Sequence, residues 1–322
     1  MKTTSHWSDC LVTALRDVTP TVREFTITPG DGAAEHWSPG SHLQVGVLVN
    51  GKPQTRSYSL IGTPDDSSYR IAVKRMDTGR GGSLAMWQLA EGDRLQVLAP
   101  QNHFPLALDA PAYLLVAGGI GVTPMVSMAL ALRARGAQVR MIYGVRSEDE
   151  LAYGDALREC LGDAIRTAVG EPIAFDSEIA ALPAGAQLYV CGPVPMLDAA
   201  RHAWTAAGRE PTALRYETFG SSGRFAPQSF RVQLPRHALD IMVPADCSLL
   251  DALEQAGVQT LSDCKRGECG LCAMDVIGVS GEIDHRDVYL TEDEKRENSR
   301  ICACVSRVVG EVTLDSSWRP DD

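Results

Sequence analysis

The densest chemistry in this chain is Cys264-Lys-Arg-Gly-Glu-Cys269-Gly-Leu-Cys272, three thiols spaced C-x4-C-x2-C. Thiolates hold soft metals, and zinc sites ordinarily present two close Cys pairs or a Cys/His mixture. Three cysteines followed by a distant fourth is instead the plant-type spacing for a [2Fe–2S] cluster. Gly267 and Gly270 suit a loop whose backbone N–H groups turn inward toward sulfur. Two residues compete for the fourth place: Cys302 and Cys304 leave 29 and 31 residues after Cys272. Alternate residues of a strand share a face, so periodicity does not separate them.

Three further constellations lie upstream. Arg56-Ser57-Tyr58-Ser59 offers a cation for a phosphate, a flat ring for an isoalloxazine face and a hydroxyl for its polar edge. As a tetrapeptide it has low specificity. Ile71-Ala72-Val73-Lys74 and the glycine-rich Gly79-Arg80-Gly81-Gly82-Ser83 add to it, because a glycine turn frees N–H groups to cradle a phosphate. Val116-Ala-Gly118-Gly119-Ile-Gly121-Val-Thr123-Pro124 follows an apolar strand and opens a helix, the setting of a nucleotide-binding turn. It lacks the G-x-G-x-x-G spacing, so a common Rossmann dehydrogenase is not implied. Tyr189-Val-Cys191-Gly192-Pro193 ends another strand, where α/β sheets bind ligands, although Cys191 alone reads as plain core.

The elements that position these residues fall into three stretches. Residues 1–108 alternate short apolar runs (VREFTITP, HLQVGVLV, YRIAVKRM) with Gly, Pro, Asn and Asp turns, predicting an antiparallel β-barrel. Residues 109–224 alternate apolar strands with helical text, the βαβ rhythm of an α/β parallel sheet. A linker surrounds Phe219-Gly-Ser-Ser-Gly. Residues 229–322 mix strands with the helix SLLDALEQAG ahead of the cysteine loop, an α+β pattern of β-grasp type.

Bulk properties narrow the setting. A chain of 322 residues, 44% apolar and 22% charged, is long enough for two or three domains with real cores. The formal charge of −11 disfavours nucleic acid and anionic membranes as partners. Residues 231–322 carry 18 acidic against 10 basic residues, while residues 1–230 carry 23 against 20, so the last third is the acidic part. That excess reads equally as a solubilising surface or as a docking face for a basic partner. No run of 18 apolar residues is present, and the first residues lack a signal peptide's apolar segment. The expectation is a cytoplasmic protein, with nine cysteines kept as thiols or metal ligands.

In combination, RSYSL, GRGGS, GGIGVTPM, YVCGP, YETFG and the cysteine cluster occur in one order along nearly the whole chain. That order resembles phthalate dioxygenase reductase and vanillate O-demethylase reductase, which are similar to ferredoxin–NADP reductases with a plant-type ferredoxin fused at the C-terminus. The resemblance implies FMN, NADH and a [2Fe–2S] cluster, with electrons handed to a Rieske-type oxygenase. It implies Cys304 as the fourth ligand beside Cys264, Cys269 and Cys272, because Cys304-Val-Ser-Arg307 matches the family's closing C-[VC]-S-R. By the same carry-over, Arg56, Ser57, Tyr58, Ser59, Ala72, Val73, Lys74, Gly81, Gly82 and Ser83 line the FMN. Phe219 covers a ring face, with Thr123 nearby. Gly119, Gly121, Thr123, Pro124, Cys191, Gly192 and Pro193 surround the nicotinamide nucleotide.

FMN then converts a two-electron hydride into single electrons for the cluster, whose type sits at about −400 mV. No acid/base pair is required; Ser59 and Cys191 position and polarise. Glu148 and Asp149, after the strand QVRMIYGV, would repel a 2′-phosphate and favour NADH, with Arg146 opposing them. Two other readings compete. One is a diaphorase or flavin reductase with no oxygenase partner. The other is a non-enzymatic electron carrier, against which the intact glycine motifs speak.

Overall fold

The computed structural model describes residues 7–30, 32–77, 81–219 and 223–315. They form two compact units, with the division in the chain falling between Glu217 and Thr218.

The first unit carries two sheets. Strands β1 (Trp7–Thr19), β2 (Val22–Pro29), β3 (Ser41–Val49), β4 (Lys52–Ser59), β5 (Tyr69–Lys74) and β6 (Arg94–Asn102) pair antiparallel in the order β4-β3-β6-β1-β2-β5. A single bridge from Leu60 to Ile71 joins the two ends, so the sheet curls back on itself as the barrel expected from sequence. Its inward positions are the apolar half of each alternation: Leu43, Val45, Val47 and Val49 of β3 are buried, while Leu48 points out at 67% exposure. A short helix, α1 (Gly82–Trp87), adds Met86 to this core.

The second sheet takes β7 (Tyr113–Gly118), β8 (Val139–Val145), β9 (Ile165–Val169), β10 (Gln187–Cys191) and β11 (Leu214–Glu217), all parallel, in the order β11-β10-β7-β8-β9. Every residue of β7 is buried, which is why this central strand reads as a continuous apolar run. Helices α2 (Val122–Ala134), α3 (Gly154–Leu161), α4 (Phe175–Ala180) and α5 (Val194–Ala206) connect the strands. The strand order reverses direction between β7 and β10.

Three side chains bind the two sheets of this unit together. Ser127 Oγ of α2 donates to the carbonyl of Leu60 at 2.8 Å, out of solvent. Lys74 Nζ of β5 meets Glu150 at 2.8 Å. Tyr153 Oη donates to the buried Glu24 at 2.7 Å from a left-handed backbone, φ +61°.

The second unit is a mixed five-stranded sheet in the order β13-β12-β16-β14-β15. Its strands are β12 (Phe230–Leu234), β13 (Leu239–Val243), β14 (Ala273–Asp284), β15 (Arg300–Cys302) and β16 (Arg307–Asp315). Only β12 and β16 run parallel. Helix α6 (Leu249–Gln255), capped by Ser248 accepting from the Asp251 N–H, sends Leu249, Leu250 and Leu253 into the core. Helix α7 (Glu292–Glu297) opens on a capping box between Thr291 and Glu294.

The stretch read as a linker is fastened to this unit. Thr218 donates its N–H to Glu268 at 2.7 Å and its hydroxyl to the Arg266 carbonyl at 3.1 Å. The Arg224 N–H bonds Asp284 at 2.9 Å, and the Phe225 and Gln228 carbonyls accept from Arg286 and Arg307, each at 3.0 Å. Thr218, Arg224, Phe225 and Gln228 therefore bond to the last stretch of the chain.

Candidate cofactor and cluster sites

The glycine turn after β7 and the Cys-Gly-Pro turn after β10 meet backbone to backbone. A Cβ on Gly121 would lie 2.1 Å from the Cys191 carbonyl oxygen and 3.0 Å from the Gly192 nitrogen. On Gly192 it would reach Met196 Sδ at 2.8 Å and Gly118 Cα at 3.2 Å. Gly119 adopts φ +54°, a left-handed turn that favours glycine. These turns occupy the carboxyl ends of adjacent strands where the order reverses, the place at which open α/β sheets take their ligands. Thr123 is buried and donates Oγ1 to the Ile120 carbonyl at 3.1 Å, and Pro124 and Cys191 are buried beside it. Past β8, Glu148, Asp149 and Glu150 form a single helical turn, and Glu150 Oε2 accepts from the Arg146 N–H at 3.4 Å.

On β4 the expected flavin residues divide between two faces. Arg56 and Tyr58 stand opposite Val45 and Leu43, whereas Ser57 and Ser59 stand opposite Gln44 and His42. Arg56 donates to the Thr55 carbonyl and to Gln54, and its guanidinium lies against Gly82, where an added Cβ would fall 2.2 Å from Nε. Gly81 holds φ +79° ahead of α1, and Ser83 Oγ accepts from the Met76 N–H at 3.0 Å; residues 79 and 80 of this motif lie outside the described residues. Burial pushes the Tyr58 hydroxyl up and keeps it protonated, only partly offset by Arg56. Ala72 and Val73 are buried, and the edge of β5 beyond Ile71 has no strand partner among the described residues.

Ser59 is the group that asks for something more. It is 5% exposed, and its Oγ has no hydrogen-bond partner among the described residues. A buried hydroxyl left unpaired costs about 1–3 kcal/mol, so a polar ligand edge at this point would repay it. The orphan hydroxyl, the open edge of β5 and the cation over Gly82 fit a flavin mononucleotide. Phe219 is half-buried and groups with the second unit, one residue after the Thr218 clasp.

In the second unit the cysteine loop is wound by three left-handed residues, Lys265 (φ +51°), Gly267 (φ +78°) and Gly270 (φ +73°). Both glycines are also tight: a Cβ on Gly267 would meet Val305 Cγ2 at 2.6 Å, and on Gly270 the Tyr289 ring at 2.2 Å. The winding turns the N–H groups of Arg266, Glu268 and Cys269 onto the Cys264 sulfur, the first of them at 3.4 Å. Burial nevertheless pushes the Cys264 thiol up.

The sulfurs gather in two sets: Cys264 with Cys269, and Cys272 with Cys302 and Cys304. Hydrogen bonds from Cys302 and Cys304 hold the Cys272 thiol far below its ordinary range, to about 3, and push their own thiols up. No set of three or more Cys, His, Asp or Glu among the described residues is gathered as for one metal ion. A two-iron cluster bound by four cysteines fits paired thiols rather than a single four-fold knot.

The two candidates for the fourth place have different neighbours, Cys264 and the Gly267 N–H for Cys304 and the Asp287 carboxylate for Cys302, while the hydrogen bond to Cys272 and burial push both thiols up.

Asp287 also braces the loop. Its Oδ1 accepts from Ser306 Oγ at 3.1 Å and its Oδ2 from the Leu290 N–H at 2.9 Å. The adjacent Val288 N–H bonds the Gly267 carbonyl at 3.0 Å. The Ser306 hydroxyl accepts from the Arg286 N–H, and Arg286 holds the buried Asp284 at 2.7 Å. The alternating charges of Asp284-His-Arg-Asp287 were the available clue.

Comparison with known proteins agrees with this division. A model of an oxidoreductase NAD-binding domain matches residues 115–167, and a model of a 2Fe-2S iron-sulfur cluster binding domain matches residues 235–309. The phthalate dioxygenase reductase of Burkholderia cepacia is 37% identical over 308 residues, covering 90% of this chain and 92% of its own. The heme-dependent oxidative N-demethylase beta subunit of Ectopseudomonas mendocina (strain ymp) is 36% identical over 310 residues, covering 95% and 97%. The solved structure of a phthalate dioxygenase reductase, described as modular for electron transfer from pyridine nucleotides to [2Fe-2S], matches with a TM-score of 0.78. It is 33% identical and covers 96% of this chain and 98% of its own. The matched domains accordingly are those for a [2Fe–2S] cluster and for an NAD nucleotide. The chain belongs to the phthalate dioxygenase reductase family, the NADH-dependent iron–sulfur flavoprotein reductases that serve as components of oxygenase systems.

Proposed function

We propose that this reductase takes up electrons on its first unit and delivers them from its second to a Rieske-type oxygenase. Bound FMN would supply the conversion of a two-electron hydride into single electrons, and a cluster held by the cysteines would supply single-electron transfer. The observation carrying the proposal is the separation of the two chemistries. Paired glycine turns and the orphan Ser59 hydroxyl belong to one compact unit, and the paired thiols belong to the other.

Within the first unit, Arg56 holds the flavin phosphate over Gly81, Gly82 and Ser83, and Ser59 donates its unused hydroxyl to the ring's polar edge. Tyr58 lends an apolar ring face and stays protonated. Ala72, Val73 and Lys74 offer the unpaired edge of β5. Gly119, Gly121, Thr123, Pro124, Cys191, Gly192 and Pro193 receive the nicotinamide nucleotide. Glu148 and Asp149 repel a 2′-phosphate. In the second unit, Cys264, Cys269, Cys272 and Cys304 hold the cluster. The proposed domain limits are residues 1–108, 109–224 and 229–322, with Thr218 and Arg224 fastened to the last of them, in the cytoplasm.

The acidic excess of the last third supplies a face for a basic partner, an attraction screened over about 8–10 Å at physiological salt. The similarity to a heme-dependent demethylase subunit supports a second reading, a haem-containing oxygenase as the electron acceptor. Pairing the purified reductase with a Rieske-type oxygenase and with a haem-containing oxygenase tests both. Bleaching of a Rieske spectrum by NADH supports the proposal, a haem response supports the second reading, and no transfer to either favours a diaphorase without an oxygenase partner.

A further inference from the structure

Cys302 is a fifth thiol at a site that needs four. It is fully buried at the end of β15, paired across the ladder with Ala273, the residue after Cys272. The Ala303 N–H bonds the Cys272 carbonyl at 3.1 Å, so the residues on either side of Ala303 both flank Cys272. Their two thiols each share a hydrogen bond with the Cys272 sulfur. The Val305 and Ser306 N–H groups then close a turn on the Cys302 carbonyl at 3.3 and 3.0 Å. That turn carries Cys304 back over the same sulfur. An ordinary core position here would hold an alkyl group; this one holds a second iron-binding atom beside the ligand it could replace.

We infer that Cys302 is a reserve ligand for the iron bound by Cys272, able to take the fourth place when the Cys304 sulfur is lost or blocked. The inference rests on the proposed ligand set. In the exchange the iron–sulfur bond to Cys304 breaks and one to Cys302 forms. Where Cys304 still carries a free sulfur the proton leaving the Cys302 thiol passes to it, where that sulfur is absent or capped the proton passes to water, and no electron changes hands in either case.

The test uses the full-length protein, purified without small thiols, as Cys302→Ala, Cys304→Ala and the double variant. Alanine is chosen because a serine oxygen can itself bind iron. Iron and acid-labile sulfide per chain are measured with the visible circular dichroism spectrum. Cys304→Ala is expected to keep more than half of the wild-type iron and sulfide with an altered spectrum. Cys302→Ala keeps both unaltered, and the double variant loses at least nine-tenths of them. If Cys304→Ala is empty while Cys302→Ala is full, the ligand set stands and the reserve role is overturned. If Cys302→Ala is the empty one, the ligand set itself is wrong. Should the double variant retain its cluster, a group other than Cys302 fills the place and the inference fails.

Discussion

The nucleotide turns and the cysteine loop are both glycine-wound, yet they are built from opposite materials. At the ends of β7 and β10 the turn at Gly121 meets backbone, the Cys191 carbonyl and the Gly192 nitrogen, and Gly192 in turn lies against the Gly118 Cα. In the cysteine loop the backbone serves side chains, turning three N–H groups toward one sulfur and presenting the rest. A site made of backbone tolerates changes of chemistry and fails on added volume. A site made of side-chain ligands fails on a single changed atom.

The largest expected effect follows from volume. Gly121→Ala places a methyl 2.1 Å from a carbonyl oxygen that cannot retreat without moving β10. A cost of about 3 kcal/mol or more is expected, with loss of NADH–ferricyanide activity and a fall in Tm. Gly119→Ala, two residues earlier, meets nothing within 4 Å and has only its φ of +54° to overcome. It is expected to cost about 1 kcal/mol. Equal losses would erase the distinction.

Chemistry gives the next effect. Cys304→Ser is expected to perturb the visible and electron paramagnetic resonance spectra strongly, and Cys302→Ser to leave them in place. Both substitutions change volume very little, so a spectral change confined to Cys304 isolates the ligand atom. The opposite pattern would exchange their roles.

Much of this contrast was legible in the sequence, because both sites announce themselves locally. C-x4-C-x2-C, GGIGVTP and CGP are short, their glycines are forced, and their strands alternate cleanly. What was not legible is long-range. Ser127 reaching the Leu60 carbonyl, Lys74 meeting Glu150 and Tyr153 meeting Glu24 span 67 to 129 residues and use ordinary polar side chains. The clasp of Glu268 on Thr218 likewise gives a linker-like segment to the second unit, although its glycines and serines read as a free tether. Strand periodicity could not choose between Cys302 and Cys304 because both thiols do approach Cys272. Nor could it foresee Asp287 beside Cys302, folded in from 15 positions away.

Smaller effects sharpen the surface of the first unit. Replacing Glu148 and Asp149 by Gln and Asn removes two charges from the turn after β8. A gain of about 1 kcal/mol in relative NADPH use, roughly fivefold in kcat/KM, is expected. No change would remove these residues from coenzyme choice.

The smallest effect concerns Lys74 and Glu150. The hydrogen bond from Lys74 holds the Glu150 carboxyl below its ordinary range. A depressed carboxylate contributes stability that is complete above its unfolded value and disappears as pH falls through the folded one. The pair is partly exposed, so at most about 1 kcal/mol is at stake. Wild type is expected to exceed Lys74→Met in Tm at neutral pH by a margin that closes on acidification through the carboxylate range. A margin that widens there would reverse the sign.

The central claim is that electron uptake and electron delivery belong to different units of one chain. Its most direct measurement is a comparison of the full-length protein with a chain ending at Phe219, assayed with NADH against ferricyanide and against cytochrome c. The shortened chain is expected to bind FMN and reduce ferricyanide at near the full-length rate while losing most cytochrome c reduction. Loss of FMN binding, or cytochrome c reduction at the full-length rate, would contradict the account.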